Sequence, residues 1–365
     1  GGMVKAKSVV SMMMLSFGSL GLIAVLWVLY GYAISFANGG TETFLGIDGW
    51  FGIDTSFIGL SAQVADAADP AGAFPSMAFV AFQATFAIIT VALISGAIAD
   101  RAKFGAWMVF AGLWATIVYF PVANWVFNFT LEDGKVVDGG WIVYGLGVID
   151  FAGGTAVHIN AGAAGLALAI VLGKRFGFSK GITQPHNVPL TLLGVALLWF
   201  GWFGFNAGSE LAADGIASIA FINTLAAPAA AMLGWIIVEK IKPGMATSIG
   251  AGSGAVAGLV AITPACASVD PIWAIVLGVV AGALCALAVD LKFALGFDDS
   301  LDVVGIHLVG GIVGTLFIGI FGNNVGAAFG FGWHQFAMQA LGAGAVLVYS
   351  FVLALIIGFA VEKTI

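Results

Sequence analysis

Asp150-Phe-Ala-Gly-Gly-Thr-Ala-Val-His158-Ile-Asn160 runs without a break into an apolar stretch that ends near Leu172. An imidazole inside so apolar a run is costly, and by default such a group marks a path for a solute, an ion or a proton. The second half of the chain repeats the pattern, with Asp302-Val-Val-Gly-Ile-His307 opening another apolar run. Two histidines, one per half and each trailing an aspartate, predict a lined conduit built from helical spans.

The composition agrees. Of 365 residues, 61% are hydrophobic and 8% are charged, and the mean hydropathy is +1.08. A soluble domain carries about 25% charged residues. The expected fold is therefore all-α, a polytopic membrane helical bundle, and the long unbroken runs do not alternate as barrel strands do. Ten spans are predicted, at roughly 8–36, 74–99, 104–128, 150–173, 188–209, 215–238, 248–265, 271–291, 303–322 and 336–361. Charge sorting supports that count. Lys5, Lys7, Arg101, Lys103, Lys174, Arg175, Lys180, Lys240, Lys242, Lys292 and Lys363 fall on one side, and Lys135 alone falls on the other. The opposite loops hold Glu42, Asp48, Asp54, Asp66, Asp69, Glu132, Asp133, Asp138, Glu210, Asp214 and Asp270. The positive-inside rule then places both ends of the chain in the cytoplasm. With charge sorted in this way, the net charge of −7 says little about partners, and no nucleic acid is expected among them. Cys266 and Cys285 read as small buried hydrophobes, and no cleavable signal peptide is visible.

Few residues are left to carry chemistry. A zinc site needs three or four ligands at close spacing, and His158 and His307 have no third ligand near them, so neither a metal nor a cofactor is expected. Burial disfavours the imidazolium form, which suits a deep pair to contacting a small polar solute or sharing a proton. Asp150 opens its span and either caps backbone amides or sets the field for a cation; Asp302 reads the same way. Phe205 and Ser209 lie four residues apart on one helix face. With Phe86, they form an aromatic and hydroxyl surface able to hold a small cation. His186 reads as a loop-structuring residue, and His334 carries no clear signal. The 53 glycines, as in Gly250-Ala-Gly252-Ser-Gly254, are spaced for close helix contact rather than for a nucleotide loop.

The stretch from Asp150 to Asn160 resembles the ammonium transporter family (Amt/Mep/Rh), on its Amt branch of bacterial or archaeal type. Gly201-Trp-Phe-Gly-Phe-Asn-Ala-Gly-Ser209, Pro185-His-Asn187, Thr263-Pro-Ala-Cys266 and Asp302-Val-Val-Gly-Ile-His307 match it as well, in the family's order over nearly the whole chain. The resemblance implies one transport domain over 1–365. Its first inverted repeat covers about 1–180, its second about 181–325, and a final long helix about 336–362. It implies a homotrimer with one pore per subunit, in which His158 and His307 line a narrow hydrophobic pore and Phe86 and Phe205 gate it. Ser209 becomes the recruitment hydroxyl and Asp150 the acid near the outer vestibule. Trp125, Phe127 or Trp141 completes the cation site, and the apparent insertion before Gly140-Trp141 leaves that choice open.

The implied substrate is ammonium, with methylammonium as analogue. It is held at the vestibule, deprotonated and passed as ammonia, and the resemblance leaves open whether the proton follows by way of the histidines. The resemblance further implies the cell (plasma or inner) membrane with its lipid, a cytoplasmic PII-type signal protein as partner, and no enzyme activity. The family normally has eleven spans. Gly1-Gly2-Met3-Val4-Lys5 looks like the tail of a missing first helix, and Glu362-Lys363-Thr364-Ile365 leaves no cytoplasmic tail, so trimming at both ends is expected. Three other classes compete: an ammonium sensor with little flux, a neutral gas channel of the Rh type, and an intramembrane metalloenzyme.

Overall fold

In lipid, each backbone N–H and C=O must find its partner within its own segment, so long apolar runs become helices. The computed structural model describes residues 1–37, 51–66, 74–132, 135–178, 184–242 and 244–365; Glu42, Asp48, Asp69, Asp133 and Lys180 lie outside them. Among the described residues nine helices are long and apolar enough to cross a membrane. They are α1 Ala6–Ser35, α2 Ser76–Ile98, α3 Phe104–Phe127, α4 Gly154–Val171, α5 Val188–Glu210, α6 Gly215–Ile241, α8 Pro271–Leu295, α9 Val304–Phe321 and α10 His334–Thr364. The seventh predicted span is the shorter apolar helix α7, Ser248–Ile262. It stops early because Pro264 follows, and tighter turns such as Ala265 N–H to Ile262 O (2.9 Å) carry the chain on. A two-stranded antiparallel hairpin, β1 Phe129–Glu132 and β2 Lys135–Gly139, holds the insertion after α3.

Helices α6, α7 and α8 pack backbone to backbone. A Cβ at Gly278 would lie 2.2 Å from Ala227 O, and one at Gly282 would lie 2.1 Å from Ala231 O. Lipid tails are as apolar as side chains, so close approach and dispersion must hold such helices together. Helix α10 crosses α3, α4 and α9 and closes the bundle. Helix α5 does the opposite and leaves Leu193, Leu197 and Phe200 exposed on its outer face.

The sorted charges reappear at one end of the bundle. Lys5, Arg175, Lys242 and Lys292 line a single cavity of about 650 Å³ there. Arg101 and Arg175 converge on the buried Asp298, at 2.9 and 2.8 Å, tying the ends of α2 and α4 to the loop before α9.

Candidate functional site

Helices α4 and α9 both begin with a wide π-helical turn, Gly154–Ile159 and Val304–Leu308. Such turns are rare and gather at functional positions. Each carries its histidine near the end of the turn. Gly162 lets the two helices meet just beyond, since a Cβ there would lie 2.5 Å from Leu308 N. The imidazoles of His158 and His307 consequently stack, with centroids 5.3 Å apart and planes 25° apart. Their Nδ1 atoms are 3.3 Å apart. Two neutral rings share that contact only if one Nδ1 carries hydrogen and the other accepts it, so the two tautomers are opposite. Both side chains are buried, and His158 Nε2 is a buried polar atom with no protein partner.

Trp202 stacks on His158 at 5.4 Å and 20°. Its Nε1–H donates to Thr263 Oγ1 at 2.8 Å, which fixes the ring. Sequence reasoning had not singled out Trp202. The available signal was its place three residues before Phe205, on the same helix face. Phe205 lies 6.2 Å from His158 and stacks face to face on Phe86 at 4.3 Å and 24°. Phe86 in turn meets Phe127 at 5.8 Å and Phe82 at 4.9 Å. Phe82 opens onto a recess of about 390 Å³ at the end opposite the cavity lined by Lys5 and Arg175. Close by, the Ser209 hydroxyl donates to Phe205 O at 2.8 Å, so its hydrogen is committed to the helix and its lone pairs remain to accept.

The three aromatic candidates separate. Phe127 is in contact with Phe86. Trp125 and Trp141 pack on each other at 5.5 Å, and Trp125 lies 4.7 Å from Tyr349 of α10. Gly140 brings this about: it sits so close to α3 that a Cβ would be 2.2 Å from Asn124 O, which returns Trp141 to Trp125 after the hairpin.

Asp150 caps α4 with both carboxylate oxygens. Oδ1 accepts from Gly153 N (2.8 Å) and Gly154 N (2.5 Å), and Oδ2 from Thr155 N (2.8 Å), Ala156 N (3.3 Å) and the Thr155 hydroxyl. Any effect of Asp150 on a cation is therefore exerted through the field, since these donors occupy its oxygens.

Asp302 does not act in the same way, which corrects the sequence reading. Its side chain pairs with Lys292, and its backbone is left-handed at φ 62°. The cap of α9 is Asp299, whose Oδ2 accepts from Val304 N at 2.7 Å. Asp299 stands eight residues before His307, as Asp150 stands eight before His158. Burial and the neighbouring Asp302 carboxylate push Asp299 up to about 7. A carboxyl raised in the folded state contributes stability that is complete below its unfolded value near 4 and is lost as pH rises through about 7. The melting midpoint in detergent is expected to fall between pH 5 and pH 8, and Asp299→Asn to flatten that fall. An identical slope in the variant would assign the pH dependence to another group.

All 365 residues match the model of the Ammonium Transporter Family. An ammonium transporter of Mycobacterium tuberculosis is 55% identical over 385 aligned residues, covering 100% of this chain and 80% of that protein. The crystal structure of Saccharomyces cerevisiae Mep2 superposes with a TM-score of 0.85 at 34% identity, covering 98% of this chain and 78% of the other. A structure described as a sensor Amt protein gives a TM-score of 0.87 at 28% identity, covering 100% and 87%.

Proposed function

Because this chain belongs to the ammonium transporter family, and is a multi-pass membrane protein rather than an enzyme, we propose that it takes up ammonium by passing it as ammonia along the line from Phe127 to His307. Ammonium is recruited where Phe127 and Phe86 meet, over the ring faces and against the Ser209 oxygen. The stacked Phe86 and Phe205 rings offer a cation no oxygen in place of its water shell, so ammonium gives its proton to water in the recess before it passes. Neutral ammonia then slips past the gate to the imidazoles, where His158 Nε2 can exchange a hydrogen bond with it. The proton follows through the His158–His307 contact.

One observation carries this reading: the unbroken succession of contacts Phe127–Phe86–Phe205–His158–His307. It leads from the recess at Phe82 toward the end where Lys5 and Arg175 line the larger cavity. The basic end is cytoplasmic by the positive-inside rule, in a cell membrane. The exposed face of α5 supports a contact with neighbouring copies in a homotrimer. The family resemblance adds a PII-type signal protein as partner.

The test is the transient current of proteoliposomes after an ammonium jump, with sodium and potassium jumps as controls. A current specific to ammonium is expected. Internal alkalinisation without current would make the protein a neutral gas channel. Neither signal would favour a sensor, as one of the structural neighbours is described. In the same assay Phe127→Ala and Ser209→Ala are each expected to raise the half-saturating ammonium concentration. Loss of a cation–π or hydrogen-bond contact worth about 1 to 2 kcal/mol corresponds to roughly 5- to 30-fold. Equal values for wild type and both variants would remove the recruitment site from the reading.

A further inference from the structure

Phe127 is the last residue of α3, and Asn128 follows it directly. Close by, α1 ends at Ser35, and the last carbonyls of a helix have no partner within it. Two asparagines of α3, one turn apart, supply the missing donors. The buried Asn124 places its Nδ2 3.2 Å from Ser35 O and 3.3 Å from Ala37 O. Asn128 Nδ2 donates to Ala37 O at 2.6 Å. We propose that Asn128, backed by Asn124, is a positioning residue for ammonium recruitment: its bond to Ala37 O fixes the Phe127 ring against Phe86 and so sets the affinity of the outer site. This role rests on Phe127 being the recruiting ring.

The body of α3 is held by other contacts. Tyr30 OH and Thr116 Oγ1 meet at 2.9 Å, and Tyr349 OH donates to Ile117 O at 2.7 Å. Trp125 packs on Tyr349 at 4.7 Å. The outermost residue, Phe127, must then enter a narrow slot. Its ring meets Phe86 edge to face, at 5.8 Å and 76°. Its tip lies so near the turn at Gly153 that a Cβ there would be 3.4 Å from Phe127 Cζ. A cation is drawn to the face of an aromatic ring and not to its edge, so a ring free to turn loses part of that attraction.

Asn128 is placed to prevent the turn. Its side chain holds the end of α1, and its carbonyl accepts from Gly140 N at 2.9 Å, where the hairpin returns. The end of α1 also reaches the recess. Phe36, the residue before Ala37, meets Phe79 at 5.0 Å and 75°, and Phe79 lines the recess together with Phe82. One carbonyl, that of Ala37, thus ties the residue beside the recruiting ring to the wall of the recess.

The experiment uses the full chain in proteoliposomes and reads the half-saturating ammonium concentration and the maximal rate, from the current or, where transport is neutral, from internal alkalinisation. Asn128→Ala removes the donor, and Asn128→Leu removes it while keeping the volume. Ala37 O retains Asn124 as a donor in both, so both are expected to fold, with a melting midpoint near wild type. Each is expected to raise the half-saturating concentration by about fivefold, the usual worth of one hydrogen bond, while the maximal rate stays at the wild-type level. In a Phe127→Ala background the same substitutions should add nothing, because the ring that Asn128 positions is gone. Wild-type half-saturation in both Asn128 variants would overturn the proposal. So would an equal further rise in the Phe127→Ala background, or a lowered maximal rate at unchanged half-saturation. A Phe127→Ala variant without effect would instead remove the recruitment reading itself, and the role of Asn128 with it.

Discussion

His158→Ala is expected to abolish the ammonium-driven current, with a loss of at least about a hundredfold, the usual contribution of a positioned proton-transfer group. His158 touches the succession of groups at three places. It stacks between Trp202 and His307, and lies within 6.2 Å of Phe205. It also holds one end of the Nδ1–Nδ1 contact and the unpartnered Nε2. Alanine removes all of these at once and leaves a cavity beside Trp202, so a folding control is needed. His158→Gln supplies it. Glutamine keeps a polar side chain of similar reach but has no second ring nitrogen through which a proton can enter at one atom and leave at the other. The current is expected to vanish in both variants, while the glutamine variant keeps a melting midpoint close to wild type. His307→Ala should behave like His158→Ala, because a relay needs both rings. An undiminished current in the glutamine variant would sink the relay, and the charge would then cross by a route other than the paired imidazoles.

Several of these features were legible in the sequence because ionisable residues are sparse there. In a chain with 8% charged residues, an imidazole within an apolar run stands out, and His158 and His307 do meet. The stacking of Phe86 on Phe205 was readable only through motif resemblance, since 30 phenylalanines offer no contrast of their own. The choice among Trp125, Phe127 and Trp141 was closed to sequence reasoning for a geometric reason. The hairpin folds away the residues between Phe127 and Gly140, so separation along the chain no longer measures separation in space. Asp302 misled for a different reason. Asp298, Asp299 and Asp302 all precede the same helix, and composition cannot say which will cap it. The left-handed backbone at Asp302 turns that carboxylate to Lys292 and leaves the amide of Val304 to Asp299. Helices α1 and α3 also contain π-helical turns, at Trp27–Gly31 and Ala115–Tyr119, and uniformly apolar runs carry no mark of them.

Asp150→Ala is expected to lower stability by about 3 kcal/mol and to stop transport together with it. Five donors converge on this carboxylate: four backbone amides and the Thr155 hydroxyl. Loss of an ordinary helix cap costs about 1 kcal/mol, and buried donors left without acceptors add about 1 to 3 kcal/mol. The turn also depends on glycine, because Gly153 sits at φ 113° between the aspartate and the helix it caps, a conformation open to glycine at little cost. Once the cap is gone, the π-helical turn that carries His158 loses its anchor, and the 3.3 Å contact with His307 goes with it. Asp150→Asn separates the two roles that a carboxylate can have here. Asparagine keeps one acceptor oxygen and loses the charge. If capping dominates, it should recover much of the melting midpoint lost in the alanine variant and retain measurable ammonium current. If the field on an approaching cation dominates, it should fold like wild type and transport no better than alanine. The geometry favours the first outcome, since amides and a hydroxyl already meet both oxygens. An asparagine variant that is stable and silent would instead make Asp150 an electrostatic part of the conduit, acting on the cation without touching it.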